Sequence, residues 1–152
     1  MQAKPKKTQK IPSILVGVAG EYFVAAELSR RGYIASISMR NTRGIDIQAT
    51  NAAATRSVTI QCKSNQDGGS SWILNEKAET FAPKNHFYVF VALRSPDERP
   101  LYHVVPAKDA AKYAHDFHQA WERKKPRNPT SMRKFNDPEG KYVDRWDLLQ
   151  LD

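Results

Sequence analysis

The chain has 152 residues, of which 40% are hydrophobic and 26% are charged. This size and composition suit one globular domain with its own apolar core. No apolar run approaches the roughly 20 residues that a bilayer-spanning helix needs, and no apolar stretch of signal-peptide length follows the basic start. These patterns argue against a transmembrane or secreted protein, and we expect a cytoplasmic protein with no membrane partner.

The charge of the chain points to a polyanionic partner. Twenty-four Lys and Arg against sixteen Asp and Glu give a net charge of +8, which attracts polyanions over a long range. Nucleic acid is the partner that we expect, although each basic cluster taken alone is equally typical of a solvated tail or loop. The one cysteine, Cys62, can form neither an internal disulfide nor a multi-cysteine zinc site, which fits a reducing compartment.

The first third of the chain predicts a leader, a helix and three strands. Residues 1–12 are interpreted as a basic flexible leader, and 13–152 as a single domain. A helix is predicted from Ser13, which can cap it, to Gly32, which ends it. Its apolar positions at helical spacing are Leu15, Val16, Ala19, Phe23, Ala26 and Leu28.

Three strands are predicted to follow this helix. Residues 33–39 and 45–50 read as a hairpin around a turn at 40–44, and 57–64 read as a third strand. In the third strand apolar and polar residues alternate, so Gln61 and Lys63 should point the same way while the Cys62 side chain packs in the core.

The rest of the chain predicts a mixed α/β arrangement. Residues 67–71 read as a flexible loop, 86–93 as a central strand and 101–106 as a further strand. Helices are predicted as a short one at 75–82 and a longer one from Pro106 to about Lys125, and the remainder as a loop with a short closing segment. The fold class is therefore α/β, with a mixed central β-sheet flanked by helices.

Four polar residues fall where a site could form. Glu21 lies in the first helix, Asp46 lies between two isoleucines in the second strand, and Gln61 and Lys63 lie on the third. If the second and third strands pair, one face can present Asp46, Gln61 and Lys63 together. Magnesium prefers oxygen ligands, which here could come from Asp46, Gln61, Glu21 and the backbone carbonyl of Cys62.

Three segments carry a resemblance to a known superfamily: GVAGEYFVAAELSRRGY, RGIDI and TIQCKS. Over roughly residues 13 to 65 the chain resembles the PD-(D/E)xK nucleases, which have a restriction-endonuclease-like fold. Its Gln form of the last motif is similar to that of Mrr-like endonucleases, and its helix glutamate to that of archaeal Holliday-junction resolvases. The resemblance implies that Asp46 is the central ligand of Mg²⁺ or Mn²⁺, Gln61 an auxiliary ligand, Lys63 the catalytic lysine and Glu21 a second acid.

The expected function is a metal-dependent phosphodiesterase, endonuclease-like and acting on DNA, with a homodimer as a possible assembly. Arg40 and Arg43 in the turn beside Asp46, and Lys124, Lys125 and Arg127 further on, are candidate nucleic-acid contacts. Two alternatives stay open. One is a catalytically inactive nuclease-fold binding module, because the neutral Gln61 amide is a weaker ligand than a carboxylate; the other is an interaction domain whose basic clusters bind a protein or RNA.

Overall fold

A computed structural model describes residues 10–39, 44–125 and 129–152. Of the predicted leader, only residues 10–12 are described, and they are exposed. These residues form two α-helices, α1 at Ser13–Arg30 and α2 at Ala107–Lys124. The strands are β1 Ile34–Ile37, β2 Ile47–Thr50, β3 Ser57–Asn65, β4 Ser71–Asn75, β5 His86–Ala92, β6 Leu101–Pro106 and β7 Met132–Asn136.

Five strands form a central sheet in the order β1-β2-β3-β5-β6. Only the pairing of β3 with β5 is parallel, and the other three pairings are antiparallel. The predicted mixed central sheet flanked by helices is therefore confirmed. Within the described ranges, neither α-helix combines the length and apolar character needed to span a membrane.

The α1 side of the sheet has a mostly aliphatic core. Helix α1 packs on it through one buried stripe, and a short 3-10 helix at Trp146–Leu149 closes the sheet near the carboxyl end. The buried aliphatic residues of this side are Val16, Val24, Leu28, Ile47, Ala49, Val58, Ile60, Val89, Val91, Leu93, Val104, Leu149 and Leu151. Each fully buried Val, Leu or Ile stabilises the fold by about 1.5–3 kcal/mol relative to exposure.

Two details of α1 correct the sequence-based predictions. Ser13 does not cap the helix, because Pro12 occupies the cap position and no side chain there accepts a hydrogen bond. The apolar stripe is also rotated: Leu15 is 54% exposed and Phe23 44%, whereas Val24, absent from the predicted stripe, is fully buried. The helix does end at the predicted place, where Gly32 adopts a φ of +88° that favours glycine.

The opposite face, the α2 side, is rich in aromatic residues. Tyr88 and Phe90 of β5 stack there with ring centroids 5.5 Å apart, and Phe90 stacks on Phe135 at 4.4 Å. Alanines of α2 let the helix approach this face closely, since Ala107, Ala110 and Ala114 are almost fully buried. The α2 side thus combines broad rings with a helix of small residues.

A second, two-stranded sheet covers the rest of the α2 side. Strands β4 and β7 pair antiparallel and bury Trp72, Leu74 and Phe135 against the central sheet. The prediction for this region was wrong in two places. Residues 75–82 form no α-helix but only a 3-10 helix at Glu76–Glu79, and β7 lies where a loop was predicted.

Candidate functional site

The site begins where β2 and β3 cease to pair as a regular ladder. Ile47 is the last β2 residue in register, opposite Ile60. Asp46 lies just before β2 rather than inside it; its backbone N–H donates to the Ile60 carbonyl at 2.8 Å. Its side-chain Oδ2 accepts a hydrogen bond from the Cys62 N–H at 2.7 Å. A carboxylate thus takes the place of the next backbone acceptor and is fixed to β3.

Strand β3 sorts its side chains as the sequence predicts. Cys62 packs against the aliphatic core of the α1 side. Gln61 and Lys63 point to the other face, where their β5 partners are Tyr88 and Phe90. Both are half-buried, so each side chain is partly covered by the protein and partly open to solvent.

The loop that leads into Asp46 passes over Gln61. Gly44 has a φ of +63°, and a Cβ atom added to it would lie 3.5 Å from Oε1 of Gln61. The amide of Gln61 is therefore at the loop that carries Asp46. Ser38, which the sequence did not single out, supports this loop from β1: its N–H donates to the Asp46 carbonyl at 2.8 Å, and its hydroxyl donates to the Ile45 carbonyl.

Glu21 approaches from the α1 side. The residue before it, Gly20, packs so closely on β3 that an added Cβ would lie 1.7 Å from the Ser64 hydroxyl oxygen. Glu21 is half-buried. Burial raises the pKa of the Cys62 thiol, and the charges of Asp46 and Glu21 raise it further. Glu21 therefore lies on the helix that packs on the Cys62 side of β3, the face opposite Gln61 and Lys63.

The electrostatics of Asp46 favour a nearby positive charge. Burial raises the pKa of this carboxyl group above its ordinary value, while the Cys62 N–H and the Lys63 ammonium act in the opposite direction. A desolvated carboxylate is stabilised by an adjacent cation. Lys63 supplies part of that charge and lies close enough to affect Asp46.

The oxygen donors of this site fit a hard divalent cation whose remaining ligands are water molecules and substrate oxygens. Across the described ranges, no group of three or more His, Cys, Asp or Glu side chains could hold a metal ion. Mg²⁺, however, usually takes only one or two carboxylates and completes its octahedron with water and phosphate. The second oxygen of Asp46, Oε1 of Gln61 and the Cys62 carbonyl are the oxygens available. The carbonyl points to the β2 side, as the N–H of the same residue does.

The predicted nucleic-acid contacts are placed only in part. Lys124 is the last residue of α2 and Lys125 its cap, and both are exposed. Arg40, Arg43 and Arg127 lie outside the described residues. The structure thus brings Asp46, Gln61, Cys62 and Lys63 together. Glu21 lies on α1, on the other side of the central sheet. The role of the basic residues stays a prediction.

Comparison with known proteins finds similarity in structure only. No family model and no curated protein sequence matches the chain. The bacterial homing endonuclease I-Ssp6803I superimposes with a TM-score of 0.57 at 13% identity, over 92% of this chain and 95% of that one. Hjc, a Holliday junction resolvase from the archaeal hyperthermophile Archaeoglobus fulgidus, covers 84% of this chain and 88% of its own, with a TM-score of 0.49 and 14% identity. The resemblance seen in the sequence is confirmed at the level of the fold, since the chain shares the fold of the homing endonuclease.

Proposed function

We propose that the chain is a metal-dependent nucleic-acid phosphodiesterase that cleaves DNA endonucleolytically. The observation that carries the proposal is the Asp46 carboxylate held on the Cys62 N–H at 2.7 Å, next to Gln61 and Lys63. This arrangement lies on a fold shared with nucleases. A half-buried carboxylate beside a lysine on a basic chain is suited to phosphate chemistry.

Mg²⁺ or Mn²⁺ is the proposed cofactor. Asp46 would be its main ligand, with Gln61, the Cys62 carbonyl and Glu21 as further oxygen donors. A divalent cation at such a site lowers the pKa of bound water and neutralises charge on a phosphoryl oxygen. The hydrogen bond from the Cys62 N–H holds Asp46 in one rotamer. Its second carboxylate oxygen would therefore be oriented toward a cation before the cation binds.

Lys63 is the proposed catalytic lysine. Its ammonium is a compact charge with three donors, and it lies near enough to Asp46 to oppose the rise in the pKa of that carboxyl group that burial causes. We assign it the stabilisation of charge that develops on the phosphate, or the orientation of the attacking water. Its half-buried stem lies on the face of β3 where Phe90 is its β5 partner in register.

Substrate capture is assigned to basic residues. Lys124 and Lys125 are exposed at the end of α2, and Arg40, Arg43 and Arg127 are proposed to add phosphate contacts. The net charge of +8 would speed association with a polyanion. The preference for DNA, a cytoplasmic location and the pairing of two copies stay predictions.

The test is nicking of supercoiled plasmid with Mg²⁺ or Mn²⁺, by the chain and by two variants. Asp46→Asn keeps an oxygen for the Cys62 N–H but loses the charge, so we expect nicking to fall at least 100-fold. Lys63→Ala should cause a comparable loss, because removal of one charge-stabilising donor typically slows a reaction by about 10²–10³.

The matched control is Lys108→Ala, which removes the same charge from the exposed first turn of α2. It should nick at the rate of the unaltered chain. Nicking that survives both Asp46→Asn and Lys63→Ala would refute the proposal and show that any activity comes from elsewhere or from a contaminant.

A second candidate function is a binding module that has lost catalysis, favoured by the neutral amide of Gln61. The two candidates differ in their response to Gln61→Glu. If the chain is a nuclease, the added carboxylate should tighten Mg²⁺ binding in calorimetry and keep nicking. If it is an inactive module, the unaltered chain should bind DNA with no nicking and show no Mg²⁺ heat.

A further inference from the structure

The two-stranded sheet of β4 and β7, here called the ribbon, has one buried and one open face. On the buried face, Trp72, Leu74 and Phe135 are 3%, 3% and 1% exposed. The Trp72 indole N–H also donates to the Val91 carbonyl of β5 at 3.1 Å. The ribbon is therefore anchored on the central sheet, and its outer face is presented by a rigid support.

The outer face carries the chemistry of base recognition. Three cross-strand pairs form it: Ser71 with Asn136, Ile73 with Lys134, and Asn75 with Met132. Ile73 is 58% and Met132 49% exposed, although both could have been polar without disturbing the core. A lysine such as Lys134 recognises the edge of guanine, and apolar side chains such as Ile73 and Met132 contact the thymine methyl group. The amide oxygens are otherwise placed: that of Asn75 accepts from the Lys77 N–H, and that of Asn136 is buried.

The charge of the ribbon is complementary to DNA. Strands β4 and β7 contain Arg133 and Lys134 and no acidic residue. Arg133 is engaged by Glu79 on the inner side, so Lys134 is the cation of the outer face. The end of α2 lies beside β7, where Trp121, Met132 and Lys134 line one shallow cleft. Glu122, which pairs with His118, follows Trp121, and three basic residues come after it, at Arg123, Lys124 and Lys125.

The ribbon is also tied to the candidate catalytic strand. The Asn65 side-chain amide at the end of β3 donates to the Gly69 carbonyl at 2.9 Å and to the Ser71 carbonyl at 3.2 Å. Lys63 lies two residues before Asn65 on the same face of β3, about 7 Å away along the strand. The start of the ribbon is therefore held two residues from Lys63 along β3.

We propose that the ribbon enters the major groove of duplex DNA and reads bases there, an assignment that rests on the proposed action of the chain on DNA. The major groove of B-DNA admits a two-stranded β-ribbon, and its base edges carry a distinct pattern for each base pair. The deep, narrow major groove of an RNA duplex does not admit side chains. Phosphate contacts by Lys124 and Lys125 would hold the register, and the ribbon would supply the specificity.

The experiment measures binding of a fluorescent 20-bp duplex by anisotropy, with EDTA present so that no cleavage occurs. We expect Lys134→Ala to weaken binding about tenfold, and Lys108→Ala, the same charge change in the first turn of α2, to weaken it less than twofold. Methyl green, which occupies the major groove, should displace the chain, and netropsin, which occupies the minor groove, should not. Binding to an RNA duplex should be equal for both variants.

Equal affinities of the two variants for the DNA duplex would overturn the proposal, as would displacement by netropsin alone. An unchanged DNA affinity of Ile73→Asn, together with altered sedimentation, would show that the outer face binds a second copy instead. The measurements of binding and of nicking test the two proposals separately. A chain that binds through Lys134 without nicking contradicts the proposed nuclease activity alone, and one that nicks with Lys134→Ala binding unchanged contradicts the ribbon assignment alone.

Discussion

The two faces of the central sheet are covered by different kinds of side chain and by different elements. On the α1 side one long helix covers an aliphatic core, and the contact is so close that Gly20 meets Ser64 without room for a Cβ atom. On the α2 side stacked rings of Tyr88, Phe90 and Phe135 fill the space beneath a helix and the ribbon. The α1 side fixes the position of Glu21, whereas the α2 side supports the wall behind Gln61 and Lys63.

This difference suggests a division of roles. An aliphatic core with a glycine contact allows little displacement of α1 along β3. Rings have flat faces and large areas, so they can anchor a separate two-stranded sheet that would be marginal alone. The candidate site lies between the two sides, and each can be disturbed without the other.

The largest expected effect is on the α2 side. Phe135→Ala removes a ring that is 1% exposed and stacks on Phe90, so the free energy of unfolding should fall by about 3–5 kcal/mol. Urea unfolding measures this. Ile73→Ala on the outer face of the same ribbon, where Ile73 is 58% exposed, should change stability by less than about 0.5 kcal/mol. A loss below 1 kcal/mol for Phe135→Ala would mean that the ribbon is not part of the cooperative core.

The next effect is a pH dependence that belongs to the α2 side. Burial lowers the pKa of His86 to about 4 from its ordinary 6.5. The unfolded chain therefore binds a proton at a higher pH than the folded one. The stabilisation is fully present above pH 6.5 and is lost as the pH falls toward 4, by up to about 3 kcal/mol.

Unfolding at a series of pH values tests this, with His86→Gln as the variant. Glutamine is polar and can still bond Thr59, whose hydroxyl lies 2.8 Å from the His86 Nδ1, but it does not titrate. The variant should show a flatter profile between pH 6.5 and 4. An unchanged slope would assign the pH dependence to other groups.

The smallest effect concerns the α1 side and compares two glycines of one helix. Gly20→Ala should destabilise the fold by about 1–2 kcal/mol, because the strain at Ser64 exceeds the gain in helix propensity. Gly17→Ala should stabilise it by about 0.5–1 kcal/mol, since an added Cβ there has no atom within 4 Å. Ser64→Gly should rescue Gly20→Ala. Equal melting temperatures for both alanine variants would refute the close contact.

The sequence predicts the two faces of β3 better than the elements around this strand. The alternation of Ile60, Gln61, Cys62 and Lys63 correctly separates the two faces of β3, because a strand has only two faces. The hydrogen bond from Cys62 to Asp46 is not readable in the same way, since it depends on where β2 and β3 diverge.

Two errors have physical reasons. Helix α1 is apolar around much of its circumference, so periodicity alone cannot decide that Val24 is buried and Phe23 partly exposed. Strands β4 and β7 are each five residues long and pair across some sixty residues of chain. Short, non-local pairing leaves only a weak local pattern, although the alternation of Trp72, Ile73 and Leu74 was such a signal.

If the ribbon reads bases and Lys63 acts in cleavage, as proposed, the two hydrogen bonds from Asn65 would set a fixed offset between the bases read and the bond cut. A ribbon attached by a flexible linker would let the cut wander along the duplex, and the fragments would have ragged ends. Here the ribbon begins on the amide of Asn65, in the same strand as Lys63. A nuclease built in this way would cut at a fixed distance from the bases that it reads, and its products would have ends of uniform length.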